Sequence, residues 1–143
     1  MTKAFSELIA DKMAQNDRVL TLLGIEVEEV RAGFAKLSMT ISEHMLNGFG
    51  IAHGGMTFTL ADTAFAYACN SRNRLTVAAH CQVKFTKMVH RGDRLTAIAT
   101  ERSLDDRIGI YDVSVENQDG EVVAIFEGTS HGLDQRVVPE LGV

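Results

Sequence analysis

Asn47 to Asn70, reading NGFGIAHGGMTFTLADTAFAYACN, is the stretch around which this chain is organised. It opens with glycines and a histidine and turns into a helical run. From Met56 to Cys69 that run holds Met, Phe, Leu, Ala, Tyr, Cys and three threonines, with Asp62 as its one charge. Phe58, Ala61, Phe65 and Ala68 lie on one stripe of a 3.6-residue helix, and Met56, Leu60, Ala64 and Tyr67 on another. Apolar residues on every side predict a buried helix. Such a helix is about 21 Å long, too short for a bilayer that takes ~20 apolar residues. The expectation is a central core helix in a globular domain.

Asp62 is the informative residue. An aspartate is seldom buried without a partner, because removing its charge from water costs several kcal/mol. No basic residue lies within four positions of it. One reading is structural, with Asp62 accepting bonds from Thr59, Thr63 or nearby backbone. The other is a carboxylate held at a cleft for catalysis.

His53-Gly54-Gly55 precedes the helix. Backbone N–H groups at a helix start lack intrahelical partners and carry the positive end of the dipole. Glycine lets a ligand come close to that backbone. Such a site suits an anion or a carbonyl oxygen becoming an oxyanion. Gly54 and Asp62 are eight residues apart, about 12 Å along one helix, whereas a catalytic base must come within ~3 Å of its target. Two copies of the helix about a two-fold axis solve this, with Gly54 of one subunit facing Asp62 of the other. A homodimer with two composite sites is therefore expected.

The pattern N-G-x(5)-H-G-G-x(6)-A-D-T-A-F-A-Y-A-C-N resembles the hotdog-fold acyl-CoA thioesterases of the phenylacetate-degradation (PaaI) type. The likeness is close over Leu46 to Ser71 and looser to His131. It implies an α+β hotdog fold, a long central helix wrapped by an antiparallel sheet. It also implies dimers paired into tetramers, and hydrolysis of acyl-CoA thioesters such as phenylacetyl-CoA or its hydroxylated derivatives. By the same resemblance Gly54 supplies the oxyanion N–H, Asp62 is base or nucleophile, and Asn47 and His53 are the polar residues ahead of the helix. Where some relatives carry a Ser or Thr in the following strand, this chain has Ala78 with Ala79 beside it. CoA is then part of the substrate, with no separate cofactor.

The rest of the chain fits one domain, residues 1–143, able to bury roughly two thirds of its unfolded surface. Hydrophobic content of 45% and charged content of 23% are ordinary for a globular protein. A net charge of -5 argues against broad nucleic-acid binding. Cys69 and Cys81 lack metal-ligand or CxxC spacing and read as reduced core residues. His44, His80, His90 and His131 show no ligand spacing, so no metal is expected. The N-terminus has no apolar signal core and no later segment reads as membrane-spanning, which leads to a cytoplasmic expectation.

Residues 1–23 form the expected N-terminal helical segment, with Phe5, Leu8, Ile9 and Met13 as an apolar stripe and a stop at Gly24. Strands are expected from Ile25 to Val30, Phe34 to Ile41, Leu75 to Thr86, Arg94 to Ser103, Ile108 to Asn117 and Glu121 to Gly132. Val77, Ala79, Cys81, Val83 and Phe85 should share one face. Asp119-Gly120 signals a hairpin. The RGD tripeptide at Arg91 falls in a turn, not an adhesion motif. Residues 134–143, with the single proline Pro139, are expected to be a flexible tail.

For the substrate, Gly55 and the apolar Phe58, Phe65 and Met56 are expected to line the pocket. CoA phosphates favour Lys and Arg, and Lys84 and Lys87 lead a set that includes Arg72, Arg74 and Arg91. Relatives often have Arg-Pro where this chain has Lys87-Met88. Two alternatives remain at this stage. A hotdog dehydratase needs a His and an acid acting together, and the Pro-rich segment common near that His is absent. A non-catalytic acyl-CoA-binding module would bind the thioester and leave it intact.

Overall fold

The computed structural model describes residues 2–142; Met1 and Val143, the ends of the N-terminal segment and the tail, lie outside the described residues. Two short helices, α1 (Phe5–Asn16) and α2 (Arg18–Leu23), lead into strands β1 (Glu26–Arg31) and β2 (Phe34–Thr40). A 3-10 turn (Glu43–Met45) precedes the long helix α3 (Gly54–Cys69). Four strands follow, β3 (Arg74–Phe85), β4 (Arg94–Asp105), β5 (Ile108–Glu116) and β6 (Val122–Arg136). All strand pairs are antiparallel, and the sheet order is β1-β2-β4-β5-β6-β3. This is the expected α+β hotdog arrangement, a curved sheet wrapped on α3.

Alternation builds the core. Ala35, Leu37 and Met39 of β2, Leu95, Ala97 and Ala99 of β4, Tyr111, Val113 and Val115 of β5, and Ala124 and Phe126 of β6 are all buried on the helix side. Turn chemistry sets the connections. Gly24 ends α2 in the left-handed region at φ 66°. Gly120 at φ 76° closes the β5–β6 hairpin, where Asn117 Oδ1 accepts from the N–H groups of Asp119 and Glu121. In the RGD turn Asp93 Oδ2 accepts from the His90 N–H. α1 packs on β1, and Ser6 Oγ donates to the Ser71 carbonyl at 2.9 Å, tying it to the C-terminal end of α3. Among the described residues no helix is long and apolar enough to cross a membrane.

Three expectations need correction. First, α3 is not enclosed all round. Gly55, Thr59, Asp62 and Ala66, spaced i, i+4, i+7, i+11, form a half-open stripe, because the sheet curls round only part of the helix. Second, the proposed face of β3 is broken by a bulge between Ala78 and His80. One extra residue reverses the alternation, so Cys81, Val83 and Phe85 lie opposite the inward residues of β6 while Val77 is 46% exposed. Third, the tail is held. β6 runs to Arg136, Val138 is buried, and the Asn73 side chain donates to the carbonyls of Val138, Leu141 and Gly142.

Candidate active site

His53 is the N-cap of α3, and its Nδ1 accepts the Gly55 N–H at 3.1 Å. The Met56 N–H is taken by the His53 carbonyl at 2.9 Å. Gly55 therefore spends its N–H on the cap, while the Gly54 N–H has no partner among the described residues. His53 thus fixes the helix start. Asn47 organises the loop before it. Its Oδ1 accepts the Phe49 N–H at 2.9 Å, and its backbone N–H donates to the Ile51 carbonyl at 2.8 Å.

These pieces meet in an open groove of about 570 Å³ bordered by Asn47, Gly54, Thr57, Phe85, Lys87 and Met88. A Cβ on Gly54 would sit 3.1 Å from the Phe85 ring, so glycine there leaves room for a ligand beside the free N–H. Phe85 is 53% exposed and can yield. Replacing Gly54 by Ala is therefore expected to leave thermal stability nearly unchanged. It should lower kcat/KM about 10- to 100-fold by displacing the bound carbonyl; kinetics beside a melting curve checks this.

Asp62 stands half-buried on the open stripe of α3. The hydroxyls that could have satisfied it turn elsewhere. Thr59 Oγ1 donates to the Gly55 carbonyl at 2.8 Å and Thr63 Oγ1 to the Thr59 carbonyl at 2.6 Å. No hydrogen bond or ion pair reaches the Asp62 carboxylate among the described residues, so Thr59 and Thr63 do not give it the bonds expected of a structural aspartate. Burial alone pushes its pKa above the ordinary aspartate value.

The other expected site residues divide. Phe58 is half-buried, edge-on to Phe126 with ring centroids 5.4 Å apart. Phe65 is a correction. It is 1% exposed, packed on Tyr111 and Phe126, and a Cβ at Gly128 would come within 2.7 Å of its ring. It is core, not pocket wall. Lys84 lies between Val83 and Phe85 on β3, so it projects to the opposite face and does not border the groove. Lys87 does border it but is paired with Glu121. Arg72 is forked on Glu101 at 2.6 and 2.9 Å, and Arg91 is 3.8 Å from Glu43. Sequence reading missed Phe85 as a groove wall, though its position opposite Ala124 on the inward side of β3 follows once the bulge is known. Among the described residues no three His, Cys, Asp or Glu side chains gather to hold a metal.

An antiparallel sheet wrapped on one long helix is the hotdog architecture, and here that helix carries a lone carboxylate and an unpaired N–H at its start. The chain belongs to the thioesterase superfamily, whose family model matches residues 49–124. It is 42% identical to the acyl-coenzyme A thioesterase PaaI of Escherichia coli strain K12, over 92% of this chain and 94% of that one. The structure of the E. coli PaaI protein from the phenylacetic acid degradation operon superposes with a TM-score of 0.90 at 41% identity, covering 92% and 95% of the two chains. A hypothetical thioesterase protein of Streptococcus pneumoniae TIGR4, solved with coenzyme A, matches with a TM-score of 0.75 at 27% identity over 78% of this chain and 90% of that one.

Proposed function

We propose that this protein hydrolyses aryl- and acyl-CoA thioesters, phenylacetyl-CoA and its hydroxylated derivatives among them, to the free acid and CoA. The observation that carries the reading is Asp62, a half-buried carboxylate with no partner in its own chain, about 12 Å along α3 from the free Gly54 N–H. The likeness to the E. coli thioesterase and the CoA-bound relative support the substrate class.

The active unit is a homodimer, itself able to pair into a tetramer. β3 is an edge strand bonded to β6 alone among the described residues, and a long open edge is a template for pairing. A two-fold axis across that edge brings Gly54 of one subunit to Asp62 of the other. The thioester carbonyl then accepts the Gly54 N–H, with the Asn47 amide beside it in the groove. Asp62 either takes the proton of an attacking water or adds to the carbonyl itself. In the water route the oxyanion collapses, the C–S bond breaks, and the CoA thiolate recovers the proton from Asp62. In the other, Asp62 adds to the carbonyl, the C–S bond breaks to release CoA thiolate, and the acyl anhydride that forms is hydrolysed by water to the acid and free Asp62; hydroxylamine would trap the anhydride. No cofactor enters either route. Cys69 and Cys81 are free thiols, in keeping with work in the cytoplasm.

Thiol release from a panel of phenylacetyl, benzoyl, hydroxylated aryl and linear acyl-CoAs tests the activity. Binding without release would leave the non-catalytic module instead. Mixing two impaired variants, Gly54→Ala and Asp62→Asn, tests the composite site. Each mixed dimer holds one intact site, so random exchange should restore about a quarter of wild-type turnover. No recovery after demonstrated subunit exchange would sink the shared site.

A further inference from the structure

A second cavity lies at the far end of α3. It has a volume of about 270 Å³ and is bordered inside by Cys69, Thr76, Tyr111, Ser130 and Gly132. Three of the four polar side chains on this inner wall are committed. Thr76 Oγ1 donates to the Arg74 carbonyl at 2.8 Å, Tyr111 Oη to Glu101 at 2.8 Å, and Cys69 Sγ lies 3.5 Å from the Ala66 carbonyl. Ser130 is not. It is 1% exposed, and its Oγ has no hydrogen-bond partner. A buried hydroxyl left unpaired is destabilising, so such a group calls for a bonding partner the chain itself does not provide.

The cavity continues the line of the reacting site. Cys69 follows Asp62 by seven residues, two turns of the same helix face and about 10.5 Å. On the sheet side, Ala78 pairs with Ser130 and Thr76 with Gly132, next to the β3 bulge. Ala66, Ala78 and Gly132 are small residues between the Asp62 stripe and this cavity. Burial raises the Cys69 and Cys81 thiols, Cys69 to about 12, with the Asp62 charge adding to the rise at both. The cavity mouth carries three arginines, yet each has a carboxylate: Arg72 with Glu101, Arg74 with Asp106, and Arg107 with Asp134. The mouth is thus balanced, which favours an uncharged ligand group over a second anion.

We propose that this cavity receives the distal end of the acyl group and that the Ser130 hydroxyl hydrogen-bonds an uncharged ring hydroxyl there. Ser130 is then the residue that separates hydroxylated from plain aryl-CoA substrates. The proposal rests on the thioesterase reading for its direction, with the reacting carbonyl at Asp62 and the acyl group running toward Cys69.

The test compares para-hydroxyphenylacetyl-CoA with phenylacetyl-CoA, in wild type and Ser130→Ala. Wild type should favour the hydroxylated thioester about tenfold in kcat/KM. The variant should lose that preference, the ratio of kcat/KM for the two thioesters falling to about one. Its melting temperature should hold or rise, since the change removes an unpaired buried hydroxyl. A preference equal in both proteins, or absent from wild type, overturns the proposal and leaves Ser130 bonded to a trapped water. Failure of the parent reading looks different, because wild type would then release thiol from neither substrate. In that event calorimetry with the two free acids decides the Ser130 question. Tighter binding of para-hydroxyphenylacetate than phenylacetate, lost in Ser130→Ala, supports the assignment, and equal binding rejects it.

Discussion

Asp62→Asn should lower kcat about 10²- to 10⁴-fold, with KM changed far less, because the amide keeps the shape of the carboxylate but neither accepts a proton nor adds to a carbonyl. Stability should not fall with activity. Burial is the one cause of the raised Asp62 pKa, so the folded state disfavours the charged form. Between the unfolded value of about 3.9 and the higher folded one, the folded chain holds a proton that the unfolded chain has released. Stability at this residue therefore drops as pH rises through that window, and the loss persists above it. The neutral amide removes the loss. Asp62→Asn should match or exceed wild type in denaturant titrations at neutral pH, and the two should converge below pH about 3.9. Catalysis needs the ionised form, so the acid limb of the wild-type kcat/KM profile should lie above that reference value. A variant that kept its turnover would remove Asp62 from the mechanism, and one that unfolded would return it to a structural role.

Replacing Asn73 by Ala should produce the largest loss of stability, about 3 kcal/mol and a fall in Tm of roughly 10 °C. Asn73 follows α3 in the left-handed region at φ 71° and is fully buried. Its Nδ2 donates to the carbonyls of Val138 at 2.9 Å, Leu141 at 3.1 Å and Gly142 at 2.7 Å, and its Oδ1 accepts the Val138 N–H at 2.7 Å. One side chain therefore holds the last stretch of chain against the start of β3. Alanine loses every one of these bonds and keeps an unfavourable backbone. Asn73→Gly separates the two causes, since glycine relieves the backbone strain and leaves the bonds missing. Both variants should become sensitive to carboxypeptidase at residues 137–142 if the clamp holds the tail. An unchanged Tm in Asn73→Ala would show that the tail adds nothing to stability.

Local chemistry carried much of the fold into the sequence. The apolar run ending at Cys69, the left-handed stop at Gly24 and the Asp119-Gly120 hairpin are decided by residues close together in the chain, so their spacing was enough. The long helix proved to begin at Gly54, two residues before its apolar run, because His53 caps it with both side chain and carbonyl. The pairing of a glycine-led helix start with a lone aspartate was equally legible, as both lie on one element.

What spacing alone could not decide is which neighbour covers each face. Phe58 and Phe65 share a stripe, yet Gly128 across the sheet closes over Phe65 and leaves Phe58 half-open. One inserted residue at the β3 bulge turns Val77 outward, and alternation puts Lys84 on the face away from the groove. The freedom of Asp62 depends on two threonines choosing backbone carbonyls over its carboxylate. The unpaired Ser130 depends on β5, β6 and α3 meeting around it. By itself the sequence determined the elements, their order and the chemistry-bearing stretch, since propensity, capping and turn geometry act over a few residues. Only the tertiary structure decided which side chains are core, which are open and which are left without a partner, because those outcomes are set by contacts between segments far apart in the chain.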